Sequence, residues 1–168
     1  MRPGRLSLLV TGTAYVVALA WAALVLPDRV PSHFDGAGRV DDWTSRTAML
    51  AFWVAVGLVV LLGIPALTRV AAAGDGTWVN MPQPSKDYWF APERRAEFRL
   101  RLGDDIEGFT ALTAVLLIAL VGVTTWVGTS GRDGVPWWVF VLLLGGYLAA
   151  TALWTVRLLR KYRPPVGP

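Results

Sequence analysis

Leu26–Arg46 reads LPDRVPSHFDGAGRVDDWTSR. It holds the single His of the chain, four of its twelve acidic residues and two prolines. Charge-free runs flank it, Leu6–Pro27 before and Thr47–Thr68 after, and Gly108–Gly131 and Val135–Val156 repeat the pattern further along. About 20 apolar residues suffice for a helix to cross the hydrocarbon core of a bilayer. The quoted stretch is therefore the connection between two membrane helices, and the chain predicts four such helices in one domain.

Composition agrees: 54% of the 168 residues are hydrophobic, above the ~45–50% of soluble domains. There is no Cys, which excludes disulfides, thiolate metal sites and a Cys nucleophile and leaves the redox compartment open. Met1–Arg5 followed by an apolar run resembles a signal peptide, but the run exceeds the roughly 7–15 residues of a signal core, so an uncleaved first helix is expected. The charge-free runs contain none of the ionisable groups that ion-coupled transport needs at membrane depth.

The positive charges divide unevenly. Twelve lie at the two ends of the chain and between the second and third spans, and four (Arg29, Arg39, Arg46 and Arg132) lie in the other two connections. Positive loops stay cytoplasmic. Both termini and the middle connection are thus expected inside, with the His33 loop outside. The expected fold is an all-α integral membrane protein with four transmembrane helices, both termini cytoplasmic, and a short basic amphipathic helix before the third span. Its single domain, 1–168, has spans at about 6–26, 47–70, 106–127 and 137–158. An outer loop covers 27–46, an inner loop 71–105 and a disordered tail 163–168. Localisation is the cell membrane, multi-pass.

Small residues at four-residue spacing, Ala14, Ala18 and Ala22 in the first span and Gly145/Ala149 with Gly146/Ala150 in the fourth, are candidate helix–helix faces. Pro65 should kink or end the second span. Trp126, Trp137 and Trp138 suit interfacial anchoring, and Thr129–Val135 reads as a tight turn.

In the outer loop, Pro27 and Pro31 fix their own backbone and bias the residue before each toward extended forms. Val30–Phe34 should be extended, Asp35–Gly38 a turn, and Thr44 or Ser45 a cap for span two. His33, Asp35, Asp41 and Asp42 are residue types that ligate divalent metals; the same groups also suit hydrogen bonding within the loop. In the inner loop, Asn80–Arg95 reads NMPQPSKDYWFAPERR. Pro92 suits a first helical position with Glu93 in the first turn. Phe98, Leu102 and Ile106 share one face, with Arg94, Arg95, Arg99 and Arg101 around the others. That pattern predicts a basic helix on the inner leaflet, in contact with anionic headgroups, or a docking surface with Tyr88, Trp89 and Phe90 as anchors. A nucleic-acid role is not expected, because no recognition module accompanies the basic residues.

The pattern Pro-x-His-Phe-Asp-x-x-Gly followed by Asp-Trp resembles the first-loop signature of a bacterial membrane domain of unknown function. That domain also forms the N-terminal part of SdpI-like immunity and signalling proteins. The matching positions are Pro27, Pro31, His33, Phe34, Asp35, Gly38, Asp42, Trp43 and Ser45; many such proteins have Asn where Asp35 stands. The inner loop is similar too, through Pro84, Lys86, Tyr88, Trp89, Pro92, Glu93 and Arg94. The longer SdpI-like proteins carry further C-terminal helices.

The resemblance implies sensing or immunity-type binding. The outer loop (Pro27, Pro31, His33, Phe34, Asp35, Gly38, Asp42 and Trp43) would recognise an extracellular peptide or envelope component. The inner loop (Lys86, Tyr88, Trp89, Glu93, Arg94, Arg95 and Arg99) would contact lipid or a cytoplasmic protein. Two other classes stay open: an accessory subunit of a larger membrane complex, and a metal-dependent envelope enzyme. No catalytic residue, metal ligand or cofactor is assigned. The charge asymmetry predicts that Ser32→Cys reacts with an impermeant thiol reagent added outside, while Ser85→Cys reacts only after the membrane is opened. The reverse labelling pattern would refute the topology.

Overall fold

The computed structural model describes residues 1–165. Helix α1 spans Pro3–Val25; strands β1 (Arg29–Phe34) and β2 (Val40–Ser45) form an antiparallel hairpin. Helix α2 (Arg46–Gly57), a π-helical turn (Leu58–Gly63) and α3 (Ile64–Ala73) make one continuous run. Then come α4 (Gln83–Trp89), α5 (Arg95–Ser130) and α6 (Trp137–Lys161). Among the described residues, four helices are long and apolar enough to cross a membrane: Pro3–Val25, Arg46–Ala73, Arg95–Ser130 and Trp137–Lys161. Leu62, Leu67, Leu142 and Leu148 point outward, each more than 60% exposed. In water such a surface would be an aggregation face; in a bilayer it meets acyl chains. Of the expected tail, Arg163–Pro165 has no regular structure, and 166–168 lie outside the described residues.

The basic amphipathic segment is helical but is no separate helix. It forms the first turns of α5, whose 36 residues extend about 54 Å at 1.5 Å each, well beyond a ~30 Å hydrocarbon core. No Pro interrupts Arg95–Ser130, and Phe98 is fully buried, which ties this end down. Pro92 precedes the helix in a turn closed by Arg94 N–H to the Ala91 carbonyl. Pro65 does not end the second span. The chain widens just before it, with Ile64 N–H reaching back five residues to the Val59 carbonyl. Pro65 then falls in the first turn of α3, where a missing N–H costs least.

Helix α5 is the spine. Against it, α1 packs so closely that a Cβ at Gly4 would collide with the Asp104 carbonyl oxygen. Tyr15 crosses from α1 to donate its hydroxyl to the Trp53 carbonyl at 2.6 Å. Around it Ala22, Leu26, Val30, Met49, Leu117 and Val121 form the membrane-level core. The expected alanine face is only partly used: Ala22 is buried, Ala18 half-buried and Ala14 exposed. Gly145, Gly146 and Ala149 are exposed on α6. That helix meets α5 through Thr113–Tyr147 (2.9 Å between hydroxyls) and Phe109–Trp154 (ring centroids 4.6 Å apart).

The end of the bundle bearing both termini is fastened by one acidic turn of α5. Asp104 accepts the backbone N–H groups of Gly4 (2.9 Å) and Arg5 (3.3 Å), satisfying donors that every helix N-terminus leaves open. Asp105 takes Lys161 at 2.7 Å and the Tyr162 hydroxyl at 2.9 Å. Burial and this carboxylate raise the Tyr162 pKa, so the hydroxyl stays a donor. Glu107, 1% exposed, pairs with Arg69 at 2.5 Å and Arg2 at 3.4 Å. Ser85 is buried, so the exposed Gln83 is the better inner labelling position. Removing one partner of a buried pair leaves an uncompensated charge, at about 3–5 kcal/mol when both are buried. Because both arginines are partly exposed, Glu107→Ala is expected to cost roughly 2–4 kcal/mol. Glu107→Gln should cost less, as read by thermal unfolding in detergent.

Candidate functional site

The hairpin is the candidate site, and its shape follows from its sequence. Arg29 pairs with Ser45, Val30 with Thr44 and Pro31 with Trp43; the register then slips at Ser32 and again at Asp41. Such bulges re-aim side chains. Ser32 donates its hydroxyl to Asp42 at 2.9 Å, and His33 Nδ1 meets Asp41 Oδ1 at 2.6 Å. A carboxylate oxygen accepting in that bond places a proton on Nδ1. Asp35 closes the turn. Its carboxylate accepts N–H from Ala37 (2.9 Å) and Arg39 (2.8 Å), and these bonds hold its pKa below the usual carboxylate range. Ser45 caps α2 by accepting Ala48 N–H at 3.2 Å.

The tip is pinned by the second connection. Val135 N–H donates to the Gly38 carbonyl (2.9 Å), and Val40 N–H to the Asp133 carbonyl (2.7 Å). Gly38 and Gly134 approach so closely that a Cβ on either would strike the other segment's backbone, and Gly38 has φ +83, which glycine alone adopts freely. The Thr129–Val135 turn is therefore a brace for the hairpin. At the base, Arg46 donates to the Leu26 carbonyl at 3.2 Å and pairs with Asp28 at 3.4 Å, while Pro31 is fully buried. Pro27 is exposed at the entry.

Of the sequence-predicted residues, Pro31 and Gly38 build the hairpin and Asp35 its turn. His33, Asp42 and Trp43 stay exposed. The carboxylates do not converge on His33, which meets Asp41 alone. Among the described residues no group of three or more His, Asp or Glu is placed to hold a metal. Phe34 packs on Phe140 of α6, ring centroids 5.3 Å apart, and an open cleft lies on each side of this pair. One, about 450 Å³, is lined by Ser32, Asp42 and Trp43 above and by Phe52, Trp53, Leu120 and Val123 below. The other is bordered by His33, Asp35, Trp137 and Leu144. Sequence reading missed these aromatic walls, because nothing in an apolar run separates a cleft-lining Phe from a lipid-facing one.

The inner-loop residues are placed differently from expectation. Trp89 and Phe90 are buried with Ala72, Phe98 and Tyr162, and the Trp89 indole donates to the Tyr162 carbonyl at 3.0 Å. They form a small core and are no exposed anchors. Arg99 caps α3 through the carbonyls of Ala72 (3.0 Å) and Ala73 (2.6 Å). Arg95 binds the Phe90 carbonyl at 3.1 Å, and Arg94 stacks on Tyr88, 4.0 Å from its centroid. Glu93 is exposed, and Lys86 borders a polar hollow with Asp75, Asp87 and Arg95. Asp104, Asp105 and Glu107 were missed although a sequence signal existed: three acids within four residues, directly before an apolar run.

Residues 9–67 match a domain of unknown function, DUF1648. The match covers most of α1, the hairpin, α2 and the π-helical turn. No curated protein and no solved structure matches the chain.

An amide oxygen at position 35 could accept the same two N–H bonds as the carboxylate. Asp35→Asn should keep the Ala37 and Arg39 amides protected from hydrogen exchange, whereas Asp35→Ala should expose both. A carboxylate with a lowered folded-state pKa contributes above its unfolded value and loses that contribution as pH falls through the folded value. Protection of the two amides should accordingly weaken below about pH 4 in the native protein and not in Asp35→Asn.

Proposed function

We propose that the protein is a membrane binding protein of the sensing or immunity type, with the β1–β2 hairpin as its recognition face. One observation carries the reading. The hairpin is braced at its tip, base and Phe34, yet His33, Asp41, Asp42 and Trp43 are left exposed above an apolar cleft. Such pre-organisation reduces the entropy lost on binding. Its ligand is an envelope component or peptide on the outer side, the side the charge asymmetry assigns to the hairpin. The resemblance to SdpI-like proteins contributes the sensing or immunity character, and no catalytic role is assigned. A cytoplasmic partner would meet the inner surface formed by Lys86, Glu93 and the Arg94–Tyr88 stack, not the buried Trp89.

The exposed glycines of α6 support a second reading, an accessory subunit packing on a larger complex. A photo-crosslinking amino acid at Trp43 and, separately, at Leu148 separates the two in native membranes. Recognition by the hairpin predicts a discrete adduct from position 43, lost when the tip is disrupted by Gly38→Val. Adducts with another integral protein from position 148, and none from 43, would replace the binding reading with the accessory one.

A further inference from the structure

The cleft beside Phe34 has two chemically distinct levels. Its lower walls, Phe52 and Trp53 of α2, Leu120 and Val123 of α5, and Phe140 of α6, belong to helices that cross the membrane. Its upper rim carries Ser32, Asp42 and Thr44, and neither Lys nor Arg lines it. The cleft on the other side of Phe34 repeats this polarity, with Asp35 and His33 at the rim and again no Lys or Arg. Asp42 uses one bond to Ser32, while an ionised carboxylate has about four acceptor positions. The volume of about 450 Å³ lies within the roughly 300–1,000 Å³ of ligand sites.

An occupant must bring apolar matter to membrane depth and positive charge to the rim. A peptide segment would carry backbone N–H and C=O groups down with it. The helical walls satisfy their own backbone and leave little to pair with, at several kcal/mol for each unsatisfied group. An acyl chain has no such groups.

We propose that the cleft binds a lipid of the hairpin-side leaflet, with one acyl chain between α2 and α6 and a protonated amine headgroup at Asp42. This rests on the hairpin as the recognition face and names its ligand class.

The full-length protein is reconstituted in phosphatidylglycerol nanodiscs containing a trace of phosphatidylethanolamine with a diazirine in its acyl chain. After irradiation, the labelled residues are mapped by mass spectrometry. Labelling is expected on Phe52, Leu120 and Val123, roughly five-fold above that of the N-acetylated headgroup analogue, the ratio of a single exposed ion pair. Asp42→Asn should erase the headgroup preference. Ala48→Trp, which fills the cleft from an exposed position, should remove labelling there and leave Leu148 labelled as before.

Equal labelling of Phe52 and Leu148, unchanged by Ala48→Trp, would overturn the site. Equal labelling by the two headgroups would overturn the amine. Displacement by a synthetic amphipathic peptide but not by unlabelled amine lipid would overturn the lipid and keep the hairpin as recognition face. The adduct from position 43 tests that face separately, so the two failures are distinguishable.

Discussion

The structure depends on a carboxylate buried where the membrane begins. Glu107 is nearly inaccessible and meets Arg69, in the second spanning segment, and Arg2, which immediately precedes the first. Desolvating a carboxylate is expensive unless charge partners surround it, so its environment requires both arginines in place. Asp104 fixes the N-terminus of α1 and Asp105 the end of α6. Three carboxylates of α5 thus fix the positions of the other three membrane segments. Lipid offers no hydrophobic drive to bring helices together; polar clasps and close backbone contacts at Gly4 supply the specificity instead.

The opposite end is held by a different device. The hairpin and the α5–α6 connection join through backbone hydrogen bonds made possible by Gly38 and Gly134. Backbone pairing spends no side chains. His33, Asp41, Asp42 and Trp43 therefore keep exposed surface, with His33 bonded only to Asp41 and Asp42 to Ser32, whereas the residues at the other end are buried or committed to backbone groups. Trp89, Phe90, Arg95 and Arg99 resemble recognition residues in sequence, yet each is committed to the fold. A rich loop composition is a poor guide to function until its hydrogen bonds are accounted for.

What could be read from the sequence divides along the same line. The four spans, the extended Val30–Phe34, the Asp35 turn and the Ser45 cap were legible because each rests on a local rule: helix length, proline geometry or capping. The union of the basic segment with the third span was hidden because the amphipathic and apolar patterns differ, although nothing between them breaks a helix. The cleft and the acidic clasp were hidden because both are made by residues far apart in sequence, Phe52 with Phe140 and Arg2 with Glu107.

The second span connects the two ends, and its geometry bears on how a displacement at one would reach the other. Ser45 and the hairpin fix its upper end; Arg69 and the Arg99 cap on Ala72 and Ala73 fix its lower end. Between them lies the π-helical turn Leu58–Gly63, with no fully buried residue of its own. A π turn inserts an extra residue per turn and weakens the local ladder, which makes it the place where displacement is absorbed. With both ends clamped, a small tilt of α2 would change the pitch of this turn before it moved α3. Signal transfer along this span therefore requires the turn to have two discrete arrangements with different ligand affinities, since a ligand shifts only states it distinguishes. Pro65 bears on that choice. Without an N–H it offers no donor to an α-helical ladder in the turn before it, so the wider arrangement is the one the sequence favours, and any second arrangement must accommodate the same missing donor.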